Sequence, residues 1–175
     1  RFGKGINGKK MNGKSGPVLL ETTVNVLWGQ SDAENKATYR SPTRHRSMAD
    51  PADVENVLDA LLDADRPVLI AGHGVLYAEA WDALRELAEL LQIPVTTSLL
   101  GKSSFPENHE LSLGVSGRTI TKAAGHFANE SDFILGIGTS FTINDFTARM
   151  PKDANLGQIT NAPSDIAKCR AVSCA

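Results

Sequence analysis

Hydrophobic residues follow two alternating patterns from about residue 50 onward. Apolar residues at the three- and four-residue spacing of an amphipathic helix predict three helices, over 51–62, 76–91 and 118–130. The segment from Pro163 to Lys168 is a candidate start of a further helix. Short uninterrupted apolar runs predict four strands, over 67–71, 93–97, 132–137 and 156–160. Strands that read as continuous apolar runs are typical of sheets buried on both faces. The sequence therefore predicts an α/β fold with a doubly wound, mainly parallel sheet.

The segment before residue 50 lacks this regular alternation. Residues 17–22 read as a short apolar strand, whereas 29–50 are polar and aperiodic, which is typical of a linker. Asp50 is a good helix N-cap, and proline suits the first helical position at Pro51. We therefore expect 17–28 to end a preceding domain, 29–49 to be a linker, and 50–175 to form the compact domain.

The first 16 residues carry a charge that differs from that of the remainder. They hold five basic residues, five glycines and no acid, which leaves 13 basic and 20 acidic residues in the other 159. Such a Gly/Lys segment buries too little apolar surface to offset its ordering entropy, so we expect 1–16 to be flexible. A basic arm for nucleic acid is the alternative, but no interleaved aromatic residues favour it. The overall net charge of −2 gives no reason to expect nucleic acid or a membrane as partner.

Several classes of protein are excluded by composition. No apolar run approaches the roughly 20 residues that cross a bilayer, and no signal-peptide pattern opens the chain. Cys169 and Cys174 are the only cysteines, so neither a disulfide framework nor a Cys-x-x-Cys zinc site can be assembled. These observations favour a cytoplasmic protein.

Glycine-containing turns follow three of the predicted strands. They span Ala71-Gly-His-Gly-Val75, Thr97-Ser-Leu-Leu-Gly-Lys102 and Gly136-Ile-Gly-Thr-Ser-Phe141. Ligands of doubly wound sheets bind outside the carboxyl ends of the strands, where glycines let backbone N–H groups approach a phosphate. Lys102 would add a positive charge there. Ordinary turn chemistry is the alternative explanation for each glycine.

Standard nucleotide fingerprints are not satisfied. Gly72 and Gly74 begin a Gly-x-Gly-x-x-Gly pattern, but Tyr77 stands at its third glycine and no acid ends the next strand. The run Gly101-Lys102-Ser103 lacks the earlier glycine of a phosphate-binding loop, because Thr96 occupies that position. A standard NAD site or phosphate-binding loop is therefore not predicted.

No catalytic or metal-binding residue is predicted. Gly114-Val-Ser-Gly117 lacks the last glycine of a nucleophile elbow. The four histidines have no metal-ligand spacing: His45, His73, His109 and His126. His73 is the one histidine in a candidate ligand loop.

The order of the segments resembles a known family. The sequence carries Arg66-Pro-Val-Leu-Ile-Ala-Gly-His-Gly-Val75, then Ile93-Pro-Val-Thr-Thr-Ser-Leu-Leu-Gly-Lys102, Leu113-Gly-Val-Ser-Gly117 and Asp132-Phe-Ile-Leu-Gly-Ile-Gly138. This set, together with Gly16–Leu27 and Ala80–Leu91, resembles the central domain of thiamine-diphosphate-dependent enzymes of the acetolactate synthase and 2-oxoacid decarboxylase family. The resemblance covers about residues 16–168. It implies a Rossmann-like fold with the DHS-like NAD/FAD-binding topology.

The resemblance also implies that this chain lacks the family's catalytic parts. The full enzymes have three α/β domains, are transferases or lyases, and form homodimers or tetramers. Their outer two domains bind thiamine diphosphate and magnesium, partly through a Gly-Asp-Gly motif that is absent here. Residues 17–28 resemble the end of the pyrimidine-binding domain, and Glu21 is not the coenzyme-activating glutamate. We therefore expect the isolated chain to be inactive and the other domains of the parent enzyme to be its partners.

In this family the central domain binds FAD, ADP or nothing. The positions that match cofactor-contacting ones are Gly72, His73, Gly74, Thr97, Leu100, Gly101, Lys102, Gly117, Gly138, Thr139 and Ser140. Three features depart from the FAD-binding members: His73 interrupts a glycine run, 140–145 lacks the usual charged residues, and 158–162 contains no acid.

Two alternatives remain open. The chain could be a stand-alone nucleotide-binding module, such as an NAD-dependent deacylase of related topology, although the zinc site of that class is missing. It could also be a purely structural domain, which the altered segments 140–145 and 158–162 favour.

Overall fold

The computed structural model describes residues 19, 21–30, 48–147, 150–151 and 153–175. The chain divides into two compact units, Arg1–Ser47 and Met48–Ala175. In the first unit, helix α1 covers Val24–Leu27. Of the strand predicted over 17–22, only Leu19, Glu21 and Thr22 are described, and none of these three lies in a strand. Residues 1–16 and most of the predicted linker lie outside the described residues.

The second unit is built on a five-stranded sheet in which every pairing is parallel. The strands are β1 Pro67–Ala71, β2 Val95–Thr97, β3 Ser112–Val115, β4 Phe133–Ile137 and β5 Asn155–Ile159. Their order across the sheet is β3-β2-β1-β4-β5. The strand order therefore reverses between β1 and β4, which is the switch point of a doubly wound sheet.

Helices cover both faces of this sheet. They are α2 Pro51–Leu62, α3 His73–Ala78, α4 Trp81–Leu91 and α5 Lys122–Glu130. On one face, Leu69 and Leu135 pack in one core with α2, α3 and α4 residues, including Leu61 and Leu84. On the other face, a smaller cluster contains Val68, Leu113 and Ala124 of α5. The predicted α/β, doubly wound fold is confirmed, and the sheet is wholly parallel.

The start of α2 agrees with the sequence prediction. The Asp50 carboxylate accepts a hydrogen bond of 2.9 Å from the backbone N–H of Ala52, and Pro51 occupies the first helical position. Val57 and Leu61 on this helix are buried. The local capping signal and the apolar stripe therefore act together to fix this helix.

Three helix predictions were wrong in detail. The helix predicted over 76–91 is two helices, because Glu79 adopts a left-handed conformation (φ 55°) between α3 and α4. The helix predicted from residue 118 begins at Lys122, where the Thr121 hydroxyl caps it. The helix predicted from Pro163 is a single 3-10 turn, Pro163–Asp165.

Strand β3 was missed because its segment is short and interrupted by a glycine. Its four residues include Gly114, which has φ +78°, and its pairing with β2 contains a register shift. The strand is held partly by a side chain, since the Thr96 hydroxyl donates to the Gly114 carbonyl over 2.8 Å. A short edge strand with an irregular register gives little periodic signal in the sequence.

Asp132 fixes the amino edge of the sheet. Its carboxylate accepts hydrogen bonds of 2.9 Å from the backbone N–H groups of Asp65 and Arg66, and the Arg66 Nε donates to the Glu130 carbonyl over 2.7 Å. Desolvation raises the pKa of Asp132, but the N–H donors from Arg66 and Asp65 outweigh it and hold the pKa below its usual value. The starts of β1 and β4 are therefore tied together through one carboxylate.

Candidate functional site

The eleven predicted cofactor contacts lie at the carboxyl edge of the sheet or in the loops that leave it. Gly72, His73 and Gly74 follow β1, and Thr97 is the last residue of β2. Leu100 and Gly101 form part of a 3-10 turn, Leu99–Gly101, that Lys102 terminates. Gly117 follows β3, and Gly138, Thr139 and Ser140 follow β4.

The glycines at this edge allow neighbouring loops to touch through their backbones. A Cβ atom on Gly72 would lie 2.3 Å from the Gly138 carbonyl oxygen, and one on Gly101 would lie 2.4 Å from the Ala71 carbonyl oxygen. A Cβ on Gly74 would lie 2.6 Å from the Gly138 Cα. Gly138 itself has φ +65°, which favours glycine. Close packing between loops therefore accounts for these four glycines.

The N–H groups of the same glycines donate hydrogen bonds inside the protein. Gly72 donates to the Ile137 carbonyl, Gly74 to the Gly138 carbonyl, and Gly138 to the Ile159 carbonyl, each over 2.8 Å. The N–H of Gly101 donates to the carbonyl and hydroxyl oxygens of Ser98, both at 3.0 Å. Glycine N–H groups at this edge were expected to approach a phosphate, but in this structure these four N–H groups bond the loops to one another.

The side chains among the predicted contacts have different surroundings. The Lys102 ammonium forms an ion pair with Glu107, so part of its charge is already neutralised. The His73 ring packs against the Tyr77 ring, with centroids 4.2 Å apart. The Leu100 side chain is exposed.

Unpaired hydroxyl groups lie at the part of this edge formed by the ends of β2 and β3 and the loop after β2. The hydroxyls of Thr97, Ser104 and Ser116 are buried and have no hydrogen-bond partner among the described residues. Thr97 and Ser116 belong to neighbouring strand ends, since the Ser116 N–H donates to the Thr97 carbonyl over 2.8 Å. A buried hydroxyl without a partner costs about 1–3 kcal/mol of desolvation. Such atoms are therefore candidates to bind a ligand or a water.

Ser104 and Ser116 were missed by the sequence analysis. Ser116 directly follows the missed strand β3, and Ser104 lies beside the buried Phe105 in the loop after β2. The available signal was a small polar residue next to a strand end, which is weak because such residues are frequent in turns.

A strap of residues 139–147 crosses the carboxyl edge. It leaves β4 with the buried Phe141, which has φ 46° and packs with Ile70 and Ile134. At its far end the Phe146 carbonyl accepts a hydrogen bond of 3.2 Å from the N–H of Arg118, which follows β3. The strap therefore connects the loop after β4 with the loop after β3, two strands that β1 and β2 separate in the sheet.

Gln158 connects the loop after β4 with the loop after β5 through hydrogen bonds. This buried residue of β5 donates from Nε2 to the Thr139 carbonyl over 3.0 Å and to the Asp165 carbonyl over 2.9 Å. Its Oε1 accepts a hydrogen bond of 3.1 Å from the Ala167 N–H. Both amide hydrogens and the amide oxygen are therefore used. The sequence shows that the run 158–162 contains no acid. It does not reveal that Gln158 bonds the neighbouring loops together.

The described part of the chain lacks both a metal-binding cluster and a membrane-spanning helix. No group of three or more His, Cys, Asp or Glu side chains there could hold a metal ion. None of the helices described is long and apolar enough to span a bilayer.

A doubly wound sheet whose polar side chains meet at the carboxyl edge defines the class of Rossmann-like α/β domains. Within this class, residues 54–175 match the model of the thiamine pyrophosphate enzyme central domain. The chain belongs to this family. The resemblance identified from the sequence is thus confirmed.

Individual relatives agree with this family. The chain is 34% identical over 137 residues to a protein from Methanocaldococcus jannaschii named probable acetolactate synthase large subunit, covering 74% of this chain and 23% of the relative. It is 38% identical over 102 residues to a 3D-(3,5/4)-trihydroxycyclohexane-1,2-dione hydrolase from Clostridium perfringens, covering 58% and 16%. An X-ray structure from Mycobacterium smegmatis, provisionally assigned as a thiamin diphosphate-dependent enzyme, superposes with a TM-score of 0.58 at 29% identity, covering 75% of this chain and 27% of that one.

The chain spans about a quarter or less of the length of these relatives. The matched residues correspond to the central domain of thiamine pyrophosphate enzymes.

Proposed function

We propose that this chain is the central domain, 50–175, of an enzyme that makes or breaks a carbon–carbon bond next to the carbonyl of a 2-oxoacid. The parent would be a cytoplasmic transferase or lyase, a homodimer or tetramer, that uses thiamine diphosphate and magnesium. The acetolactate synthase relative supports this reaction class. Thiamine diphosphate would supply the reactive carbon in that chemistry. The described residues contain no group of three or more His, Cys, Asp or Glu that could hold a metal ion, so this proposal assigns magnesium and the diphosphate to the other domains.

We further propose that the carboxyl edge of this domain binds an adenine nucleotide, FAD or ADP. The observation that carries this proposal is the pair of buried, unpaired hydroxyls on Thr97 and Ser116. Each hydroxyl can both donate and accept, so both suit the oxygen-rich phosphate and ribose of a nucleotide. The predicted contacts that follow β1, β2 and β3 would surround the same ligand: Gly72, His73, Gly74, Leu100, Gly101, Lys102 and Gly117.

A purely structural domain is the second candidate. It is favoured because the other polar groups named at this edge already have partners inside the protein. Four glycine N–H groups donate hydrogen bonds to other residues of the chain, and Lys102 forms an ion pair with Glu107. In that case the domain would position the two outer domains and bind no nucleotide.

A thermal-shift titration separates the two candidates. The chain would be titrated with FAD, ADP, NAD and thiamine diphosphate, since a ligand at 100 times its Kd stabilises the fold by about 2.7 kcal/mol, a shift of a few degrees. We expect FAD or ADP alone to raise Tm. If none of the four ligands raises Tm, the purely structural domain is the remaining candidate. A rise in Tm with NAD alone would contradict the proposed site.

Paired variants locate the ligand. Thr97→Val removes an unpaired hydroxyl, whereas Thr96→Val removes the neighbouring hydroxyl that is already bonded to Gly114. We expect Thr97→Val to weaken nucleotide binding about 3- to 10-fold and Thr96→Val to leave it unchanged. Equal affinities for Thr97→Val and the wild type would remove Thr97 from the site.

A further inference from the structure

The side chain of Gln158 joins the loop after β4 to the loop after β5. We infer that its side chain closes the half of the carboxyl edge over β4 and β5, so that the site accepts a mononucleotide and excludes the second half of a dinucleotide. This inference rests on the proposed nucleotide site over β1–β3.

The sheet topology defines the two halves. Dinucleotides bound to doubly wound sheets lie across the switch point, with one nucleotide on each side. Here the switch point is between β1 and β4, so one nucleotide would lie over β1, β2 and β3 and the other over β4 and β5. A dinucleotide therefore needs both halves to be open.

Geometry closes the half over β4 and β5. The carbonyl oxygens of Thr139 and Asp165 both bond to Nε2 of Gln158, so they lie within about 6 Å of each other. A flat base held between two walls needs about 3.5 Å on each of its faces, or about 7 Å in all. The two loops that Gln158 joins therefore leave no slot for a base between them.

The polar atoms of this half are also used. The amide of Gln158 is fully bonded, and the Thr160 hydroxyl accepts a hydrogen bond of 3.2 Å from the Ala162 N–H. A ribose there would find few open partners. The opposite half holds the unpaired hydroxyls of Thr97 and Ser116. Among the described residues, the unpaired partners for a ligand are thus confined to the half over β1–β3.

The experiment measures the affinities of ADP and FAD by isothermal titration calorimetry for the wild type and Gln158→Ala. We expect the wild type to bind ADP at least about tenfold more tightly than FAD. Gln158→Ala should gain at least about tenfold in FAD affinity, while its ADP affinity changes less than about threefold. Gln92→Asn, which shortens an exposed amide bonded only to the Glu89 carbonyl, is the control and should change neither affinity.

The outcomes distinguish this inference from the proposal beneath it. If the wild type binds FAD as tightly as ADP, or folded Gln158→Ala gains no FAD affinity, the role of Gln158 is overturned and the nucleotide site stands. If neither ligand binds either protein, the nucleotide site and the inference both fail. If Gln158→Ala does not fold, the ratio of ADP to FAD affinity in the wild type decides alone.

Discussion

The two halves of the carboxyl edge differ in how their polar atoms are satisfied. Over β4 and β5, the amide of Gln158 bonds three backbone groups. Over β2 and β3, the hydroxyls of Thr97 and Ser116 are equally buried and unpaired among the described residues. The Gln158 amide therefore needs no ligand to satisfy its hydrogen bonds. The buried hydroxyls of Thr97 and Ser116 lack partners, and a bound ligand would remove the free-energy cost of leaving them unpaired.

The glycines do not distinguish the two halves. Gly72 and Gly101 adjoin one half and Gly138 the other, and all three serve close contact between loops. A glycine-rich turn after a strand is therefore poor evidence of phosphate binding here. The unpaired side-chain hydroxyls are the better indicator, because nothing in the packing explains them.

The largest expected effect comes from the loop contacts that both halves share. Gly72→Ala would place a methyl group 2.3 Å from the Gly138 carbonyl oxygen, so the two loops would have to separate. We expect a loss of more than about 3 kcal/mol in the free energy of unfolding, measured by urea denaturation. The matched control is Gly125→Ala in α5, whose methyl would meet Ile120 at an ordinary 3.8 Å and should stabilise the helix by about 0.5–1 kcal/mol. Equal stabilities of the two variants would contradict the packing account.

Gln158→Ala should have the next largest effect, and it acts on the paired half only. The substitution leaves the carbonyls of the half-buried Thr139 and the buried Asp165 without their Gln158 donor, so we expect a loss of about 2–4 kcal/mol. Urea denaturation of this variant beside Gln92→Asn, which loses one exposed bond at most, tests it. If Gln158→Ala loses no more stability than the control, the Gln158 hydrogen bonds do not contribute to the free energy of unfolding.

Thr97→Val and Thr96→Val sharpen the contrast on the other half. Both residues are buried in β2, but only Thr96 has a hydroxyl partner. Without ligand, Thr97→Val should be neutral or stabilising by up to about 1 kcal/mol, whereas Thr96→Val should cost about 1 kcal/mol. The comparison is a pair of thermal melts. A clear destabilisation by Thr97→Val would mean that its hydroxyl has a partner after all.

Substitution of Asp132 should have the smallest effect on stability. Because Asp132 lies at the amino edge of the sheet, this substitution also serves as a control for both halves of the carboxyl edge. Its lowered pKa means that its contribution to stability is complete above about pH 4 and is lost as the pH falls through the folded-state pKa. Asp132→Asn should therefore be less stable than the wild type at pH 7, with the difference shrinking below about pH 4. Urea denaturation at several pH values measures this. Nucleotide affinity should not change, and a change would mean that the two edges are coupled.

The sequence predicted the parts of the fold that have a strong local signal. Apolar runs identified β1, β4 and β5, and Asp50 with Pro51 identified the start of α2. It could not predict β3, whose pairing depends on the Thr96 side chain and a register shift. It also could not find the break at Glu79, because a left-handed conformation there has no glycine to mark it.

The candidate site was predictable in place but not in chemistry. Strand ends in a parallel sheet share one edge, so the positions from Gly72 to Ser140 could be placed together. Which polar atoms remain unpaired depends on contacts between distant residues, such as Gln158 with Thr139. No local pattern records such contacts.

Amide hydrogen exchange with and without ADP tests the difference between the two halves most directly. If the site lies over β1–β3, ADP should slow exchange at residues 97–104 and 116–118 and leave residues 158–167 unchanged. Slowed exchange at 158–167, or no change at either segment at saturating ADP, would contradict the account.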